Sequence, residues 1–147
     1  MRQHDACREF LESYGELMIE VRRLRDTHVS LWEQSTNITA RLSDMPGGGG
    51  GDRDGLLAVL ADADEKTLRK YTEAMSRKAE IESFVDAVPG SLNRTILRLR
   101  YIERLDWDSV GNRLARAGLL LSERQVFRRH GQALQEARKL WEETHRG

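Results

Sequence analysis

Apolar residues recur at alternating intervals of four and three positions along the first part of the chain. They stand at Phe10, Tyr14, Leu17, Val21, Leu24 and Leu31, with His28 filling the remaining place, and we call this set the N-terminal seam. The spacing keeps one face of a helix apolar and is the a/d pattern of a coiled coil, with glutamates and arginines between. It predicts a helix from about Arg2 to Glu33 whose seam packs against another helix.

The pattern dissolves after Gln34, and a run of five glycines follows within Met45–Gly51. A phosphate-binding P-loop would need a Gly-Lys-Ser/Thr sequence at this point. Asp52, Arg53 and Asp54 follow instead, so we interpret residues 45–54 as a flexible linker.

Apolar positions spaced by three and four resume after the glycines and predict a second helix from about Leu56 to Ala87, with room for an interruption near residues 62–64. The two long helices could close as an antiparallel hairpin within one chain or pair with a second copy, and the sequence leaves both open. Val88 to Ser91 then ends the second helix, with Ser91 as the predicted N-cap of the next. We therefore predict a helical region at 1–89 and a separate module at 90–147.

The module contains three predicted helices. The first runs from Leu92 to Ile102, and a turn near Leu105 separates it from the second, for which Asp106 is the predicted N-cap. The buried face of the second helix consists of Trp107, Val110 and Leu114. Gly111 is small, so we expect it to let the third helix cross closely.

The third helix begins after Ser122, and Gln125 stands at the spacing of a capping box. Its predicted inward face consists of Val126, His130, Ala133, Ala137 and Trp141. The predicted fold is thus all-α, with a long helical hairpin or coiled coil followed by a three-helix helix-turn-helix module.

Composition also bears on the location of the protein in the cell. Neither an apolar run of about 18 residues nor the apolar core of a signal peptide is found, so we expect no membrane span and a cytoplasmic protein. Cys7 is the single cysteine and supports no disulfide framework.

Charge separates the two regions. The formal net charge is zero, but residues 1–91 hold 12 basic and 17 acidic residues, a net charge of −5, whereas residues 92–147 hold 12 and 7, a net charge of +5. A basic module behind an acidic region is a hint of nucleic-acid binding.

The outward face of the third helix supplies the candidate DNA contacts. Side chains near the start of a recognition helix reach base edges, where arginine suits guanine and glutamine suits adenine. The predicted base-reading residues are Arg124, Gln125, Arg128 and Gln132, and the predicted phosphate contacts are Arg113, Arg116, Ser122 and Arg129. The simpler interpretation is that these arginines only solvate a surface helix, but the basic module and the helix order favour duplex DNA as the partner.

The sequence gives little support for metal binding or catalysis. His130 lies on the apolar face and is interpreted as a packed histidine. His4 and Cys7 have no second pair nearby for a metal, and Asp62, Asp64 and Glu65 suit a helix start better than a cation site. No catalytic constellation has supporting spacing, so we expect no enzyme activity, no cofactor and no metal.

The stretches ILRLRYIERLDWDSVGNRL and SERQVFRRHGQAL resemble region 4 of the sigma-70 family, and more closely the small phage transcriptional regulators of the ArpU/RinA type. The elements that carry the resemblance are Arg100-Tyr101-Ile102, Trp107 and the stretch that begins at Ser122. The resemblance implies a phage-derived helix-turn-helix regulator. In this chain Ala115–Leu121 lengthens the connection before the third helix, and we expect this apolar stretch to pack against the N-terminal helices or a partner.

Three functions remain open from the sequence. The first is a sequence-specific DNA-binding transcriptional regulator that forms a homo-oligomer through its long helices. The second is a small terminase-like subunit for phage DNA packaging, which would form a large ring. The third is a helical adaptor that binds RNA polymerase, with weak or no DNA contact and therefore no steep dependence on salt.

Overall fold

The computed structural model describes residues 5–43 and 50–146, with side chains described at residues 5–37, 55 and 57–146. These parts of the chain are all-α, as the sequence predicts, and contain no strand. The helices are α1 (Ala6–Ser43), α2 (Gly50–Asp86), α3 (Ser91–Leu97), α4 (Trp107–Arg116) and α5 (Glu123–Thr144), and α3 continues into one π-helical turn, Arg98–Ile102.

Helix α1 extends beyond the predicted end at Glu33 to Ser43. The apolar pattern stops there, but an established helix propagates by adding one backbone hydrogen bond per residue and does not need an apolar face. The hydroxyl of Thr36 donates to the carbonyl of Trp32 at 3.0 Å, so this residue satisfies its polar group without leaving the helix.

Helix α2 is also longer than predicted. Residues 44–49 of the chain, which include half of the predicted linker, lie outside the described residues. The rest of that predicted linker, residues 50–54, is helical, because continuation of a helix offsets the cost of about 1 kcal/mol for a helical glycine. The sequence left room for an interruption near residues 62–64, but the helix is continuous there, and the pairs Lys66–Asp62 and Arg69–Glu65 bridge successive turns at 3.2 and 3.0 Å.

The chain divides into two compact units: unit 1 is Met1–Glu16 with Met75–Gly147, and unit 2 is Leu17–Ala74. This division differs from the predicted boundary at residue 89. The start of α1 and the end of α2 belong to the same unit as the C-terminal helices. The sequence pattern could not predict this division, because it does not show which part of each long helix packs against which partner.

In unit 1, an aromatic cluster joins the start of α1, the end of α2 and the end of α5. The ring of Phe10 lies 5.7 Å from Phe84 and 5.1 Å from Trp141, and the rings of Phe84 and Trp141 are 5.9 Å apart. Arg138 of α5 also donates to the carboxylate of Asp5 at 2.7 Å. Trp141 therefore lies on the inward face of α5, as predicted.

A second core in unit 1 holds α3, α4 and α5 together. It consists of Ile96, Leu99, Val110, Leu114 and Val126, with Leu92, Leu105, Trp107, Leu119 and Leu121 packed against it. This core includes Val110, Leu114 and Val126, which were predicted to face inward. His130, Ala133 and Ala137 of α5 are buried as well, so the predicted inward faces of both helices are confirmed. Each fully buried aliphatic side chain of this kind contributes about 1.5–3 kcal/mol of hydrophobic stabilisation.

Three helix starts test the predicted caps. Asp106 accepts the Ser109 backbone N–H at 2.8 Å, which also lowers the pKa of its carboxyl group, and Ser122 forms the predicted capping box. The prediction for Ser91 is wrong, because Gly90 occupies the N-cap position with φ of 93° and Ser91 is the first helical residue. A turn with positive φ favours glycine over any residue with a Cβ.

The connection between α4 and α5 is a tight cap rather than a loose insertion. Leu119 N–H donates to the carbonyl of Leu114 at 2.8 Å and Gly118 N–H to that of Ala115 at 3.0 Å, which is a Schellman motif with Gly118 at φ 93°. The motif turns Leu119 and Leu121 onto the second core of unit 1. The expectation that this stretch packs against the N-terminal helices or a partner is therefore wrong for these two residues, whereas Leu120 is 86% exposed.

Unit 2 consists of parts of α1 and α2 that run side by side in opposite directions. Lys70 Nζ lies 3.1 Å from the Glu20 carboxylate, and farther along α1 Arg25 lines the same groove as Asp64. Val21, a member of the N-terminal seam, is buried. The remaining seam residues in this unit, Leu17, Leu24, His28 and Leu31, are half-buried. In unit 2 the N-terminal seam is thus covered in part.

Replacing Gly118 with alanine should lower the free energy of unfolding by about 1–2 kcal/mol, because a Cβ is unfavourable in the left-handed conformation. Nothing lies within 4 Å of the position that a Cβ would take, so the loss comes from the backbone alone. Urea unfolding measures it. Gly118→Asn is the matched control and should cost less, because asparagine tolerates this conformation. An equal loss of unfolding free energy in the two variants would contradict the left-handed conformation at residue 118.

Candidate nucleic-acid interface

Helix α5 presents one face to solvent along its whole N-terminal half. This α5 outer face consists of Arg124, Arg128, Gly131, Gln132 and Gln135, which are all exposed. The residues fall on successive turns of the helix, so that their side chains point in nearly the same direction. The opposite face carries Val126 and His130, which are buried.

A buried hydrogen bond joins α5 to the π-helical turn. The hydroxyl of Tyr101 and Nε2 of His130 are 2.8 Å apart, and both residues are buried. Burial raises the pKa of Tyr101 to about 12 and, with the nearby guanidinium of Arg8 adding a smaller effect, lowers the pKa of His130 to about 4. His130 is therefore a neutral, packed histidine at physiological pH, as interpreted from the sequence.

Trp107 links this pair to the start of α4. Its ring lies 4.7 Å from the His130 ring and 4.9 Å from the Phe127 ring, in both cases edge to face. The guanidinium of Arg100 lies 4.3 Å from the centre of the same indole, and Arg100 also donates to the carbonyl of Leu105 at 2.9 Å. Arg100 thus serves the turn before α4, and α5 is held in a fixed orientation against α4.

The arginines of unit 1 fall into two groups. Arg98 pairs with Asp86, Arg138 with Asp5, and Arg113 lies 3.5 Å from the Glu103 carboxylate. The second group has neither an ion pair nor a hydrogen bond through its guanidinium in the part of the chain that the structure describes. Arg116, Arg124 and Arg128 belong to it. Their charges are exposed and uncompensated.

The predicted base-reading residues separate in the structure. Arg124, Arg128 and Gln132 share the α5 outer face, but the side-chain oxygen of Gln125 accepts the Ser122 backbone N–H at 2.9 Å and completes the capping box. The Gln125 side chain is therefore held at the helix start, because the two orphan N–H groups there need acceptors.

The predicted phosphate contacts are also exposed and mostly have internal partners. Ser122 Oγ accepts the Gln125 backbone N–H at 3.2 Å, and Nη1 of Arg129 lies 3.5 Å from Oε1 of Gln132. Arg113 has the Glu103 contact already described, which leaves Arg116 as the least engaged of the four. A hydrogen bond from a guanidinium to a neutral amide is weak at 3.5 Å, so Arg129 can exchange it for another acceptor.

Three residues at this face were not predicted. Phe127 is 43% exposed beside the outer face, and Gly131 and Gln135 continue its periodicity beyond Arg128. Extending the helical repeat by two turns would have found Gly131 and Gln135. Phe127 packs against Trp107 with a ring distance of 4.9 Å, and the sequence analysis did not predict this contact.

Two glycines of the module differ in what surrounds them. A Cβ at Gly111 would lie 3.9 Å from Val126 Cγ2, which is an ordinary contact. Contrary to the expectation, the crossing of α4 and α5 therefore does not require glycine at residue 111. A Cβ at Gly131 would meet nothing within 4 Å. Glycine inside a helix is less favourable than alanine by about 1 kcal/mol, and the packing of the chain gives no reason for that cost at residue 131.

Other chemistry is limited in the described part of the chain. No group of three or more histidine, cysteine, aspartate or glutamate residues is placed there to hold a metal ion. Burial raises the pKa of Cys7 to about 11, and its proposed neighbour His4 lies outside the described residues. None of the described helices is both long and apolar enough to cross a bilayer.

Acid should destabilise the fold through His130. Its folded-state pKa of about 4 lies below the ordinary value of 6.5, so the unfolded chain takes up a proton first, and stability present above about pH 6.5 is lost as the pH falls towards 4. Between about pH 7.5 and about pH 4.5 this loss is on the order of 2 kcal/mol. Urea unfolding at both pH values measures it.

The control for this prediction is His130→Gln, which keeps a hydrogen-bonding group beside Tyr101 but does not titrate. Its unfolding free energy should change less between the two pH values than that of the wild type. An unchanged difference would show that other groups cause the acid sensitivity.

A family model matches residues 37–137 of the chain, and its description is protein of unknown function, DUF1492. The matched segment runs from within α1 through α2, α3 and α4 into α5, which is more than half of the chain. No curated protein and no solved structure matches the chain. The chain therefore belongs to the family described as protein of unknown function, DUF1492.

Proposed function

We propose that the chain is a sequence-specific regulator of transcription that binds double-stranded DNA, with α4 and α5 as a helix-turn-helix and α5 as its recognition helix. The observation that carries this proposal is the pair of unpartnered arginines, Arg124 and Arg128, on the outer face of a helix whose other face is fixed to a core. The resemblance to phage regulators supports the same function and a phage or prophage origin. Such a protein would act in the cytoplasm.

The α5 outer face suits the major groove of DNA. Arg124 lies in the first turn of α5 and Arg128 one turn later, where the side chains of a recognition helix meet base edges. A guanidinium can donate two hydrogen bonds to O6 and N7 of guanine, and the amide of Gln132 can pair with adenine in the same way. Gln125 is better suited to holding the helix start than to reading a base.

Phosphate contacts would come from the edge of this face. Arg116 is in the last turn of α4, and its exposed guanidinium has no partner in the described chain. Arg113, Ser122 and Arg129 are exposed as well and could add further contacts. Such contacts orient the protein on the duplex without selecting a sequence.

Selection of DNA from a random library at two salt concentrations tests the proposed function. We expect an enriched motif and an affinity that falls steeply with salt, because each phosphate contact releases counterions. A chain that enriches no motif would contradict the proposal. Binding of RNA polymerase without any salt-dependent DNA affinity would favour the adaptor function instead.

Arg124→Ala and Arg128→Ala should each cost about 1–3 kcal/mol of binding free energy on the selected site and relax the preference at one base position. Arg116→Ala should weaken binding to all sequences alike and lower the salt dependence by about one ion. Fluorescence anisotropy titrations on the selected site and on single-base variants measure both effects.

The matched control is Arg69→Ala, which removes the same charge from α2, where Arg69 is exposed and pairs with Glu65. Its DNA affinity should stay within about twofold of the wild type, a difference of only about 0.4 kcal/mol. An equal loss in Arg69→Ala and Arg124→Ala would show that only net charge matters, and would contradict base reading.

We also propose that the protein forms a homodimer through unit 2. The N-terminal seam is at least half-buried at the residues of unit 2, whereas α2 carries an exposed stripe at heptad spacing, formed by Leu57, Ala61, Asp64, Leu68 and Tyr71. We call it the α2 stripe. Asp64 lies at its centre, and Arg22 and Arg25 of α1 line the same groove. None of these three charges has a partner in the described chain, and a two-fold axis would place the acid of one copy against the bases of the other.

Leu68→Glu should convert the dimer into a monomer, because it places a charge on the α2 stripe at a leucine that is 63% exposed. Sedimentation equilibrium at micromolar concentration measures the mass. Leu120→Glu, at a leucine exposed to 86% outside unit 2, is the matched control and should leave the dimer intact. A monomeric wild type would contradict the proposal, and a ring of many subunits would favour the packaging function.

A further inference from the structure

Gly131 differs from the other glycines of the described C-terminal module. Gly111 is half-buried in α4, and a Cβ there would lie 3.9 Å from Val126, whereas the Cβ position of Gly131 is open. Gly90 and Gly118 have φ of 93°, so the backbone explains both. Gly131 lies inside α5 with an ordinary helical backbone, is exposed, and has no atom within 4 Å of the position of a Cβ. Neither the backbone nor the packing of the isolated chain requires a glycine there.

The position of Gly131 adds a second observation. It lies seven residues after Arg124 and three after Arg128, so it belongs to the same stripe of the α5 outer face, one turn beyond the two unpartnered arginines. A helix with alanine at this place would be more stable, because glycine loses more conformational entropy on folding. Absence of a side chain here leaves the backbone of the helix open to whatever binds the arginines.

The width of the DNA major groove explains how a missing side chain at residue 131 could affect binding. The major groove is about 12 Å wide, and a helix with its side chains is about 10–12 Å across, so the fit leaves little room. A side chain in the middle of the stripe therefore sets how deeply the helix enters. Arginine side chains are long and can bend aside, whereas a Cβ cannot.

We propose that Gly131 is the point of closest approach between α5 and the floor of the DNA major groove. Its missing Cβ lets the helix enter deeply enough for Arg124 and Arg128 to reach base edges. Non-specific complexes depend on phosphate contacts and do not require this depth. Gly131 is thus a positioning residue for sequence readout. The inference rests on the proposed DNA-binding function.

The test compares Gly131→Ala and Gly131→Leu with a matched control, Gly55→Ala. Gly55 is also an exposed helical glycine, in α2, with nothing within 4 Å of its Cβ position. All three variants should melt at the wild-type temperature or up to about 4 °C above it, because alanine and leucine favour helices over glycine. Differential scanning fluorimetry measures this.

Affinity for the selected site and for unrelated DNA is then titrated for each full-length variant. We expect Gly131→Ala to weaken specific binding about tenfold and Gly131→Leu to weaken it further, with non-specific affinity changed by less than about twofold. Gly55→Ala should match the wild type on both DNAs. The ratio of specific to non-specific affinity would thus fall only for the variants at residue 131.

The outcomes separate this inference from the proposed function. If the wild type binds a selected motif and both residue 131 variants keep the wild-type affinity ratio, Gly131 has no positioning role and the inference is overturned. If specific and non-specific affinity fall together, the side chain disturbs phosphate contacts, which also overturns it. A wild type that selects no motif overturns the proposed function itself.

Discussion

The buried hydrogen bond between Tyr101 and His130 determines where α5 lies, and the rest of the candidate site depends on it. A buried hydroxyl and a buried imidazole each need a partner, and here each is the partner of the other at 2.8 Å. Trp107 packs edge to face on the same imidazole. Hydrophobic burial is non-directional, whereas this hydrogen bond is directional and constrains the rotation of α5 about its axis.

This constraint makes the outer face a rigid surface. Tyr101 belongs to the π-helical turn and Trp107 opens α4, so two separate segments set the orientation of one helix. The guanidinium of Arg100 is already engaged within the protein, because it stacks on Trp107 and donates to the carbonyl of Leu105. The resemblance to known regulators includes Arg100, Tyr101 and Trp107, and in this structure all three have structural work in the turn and beneath α5 rather than at the exposed face.

The sequence predicted the elements of the module well because its signals are local. The caps at Asp106 and Ser122 depend on residues within three positions, and the inward face of α5 follows from one period. It could not predict the length of α1 and α2, because helix propagation continues after the apolar pattern ends. The sequence analysis also placed Gln125 among the base-reading residues, although the predicted capping box itself engages the Gln125 side chain.

For the proposed function, which arginines are paired and which are unpaired matters more than the net charge of the chain. The chain has no net charge, and even the basic module uses several arginines for internal pairs, such as Arg138 with Asp5 and Arg98 with Asp86. An exposed ion pair contributes about 0–1 kcal/mol to stability, so these pairs add little to the fold, but they remove positive charge from the surface. Arg124 and Arg128 keep theirs because the neighbouring positions on the α5 outer face hold glutamine and glycine rather than an acid. Two uncompensated positive charges thereby lie on one stripe of one helix, which is the arrangement that the proposed DNA binding requires.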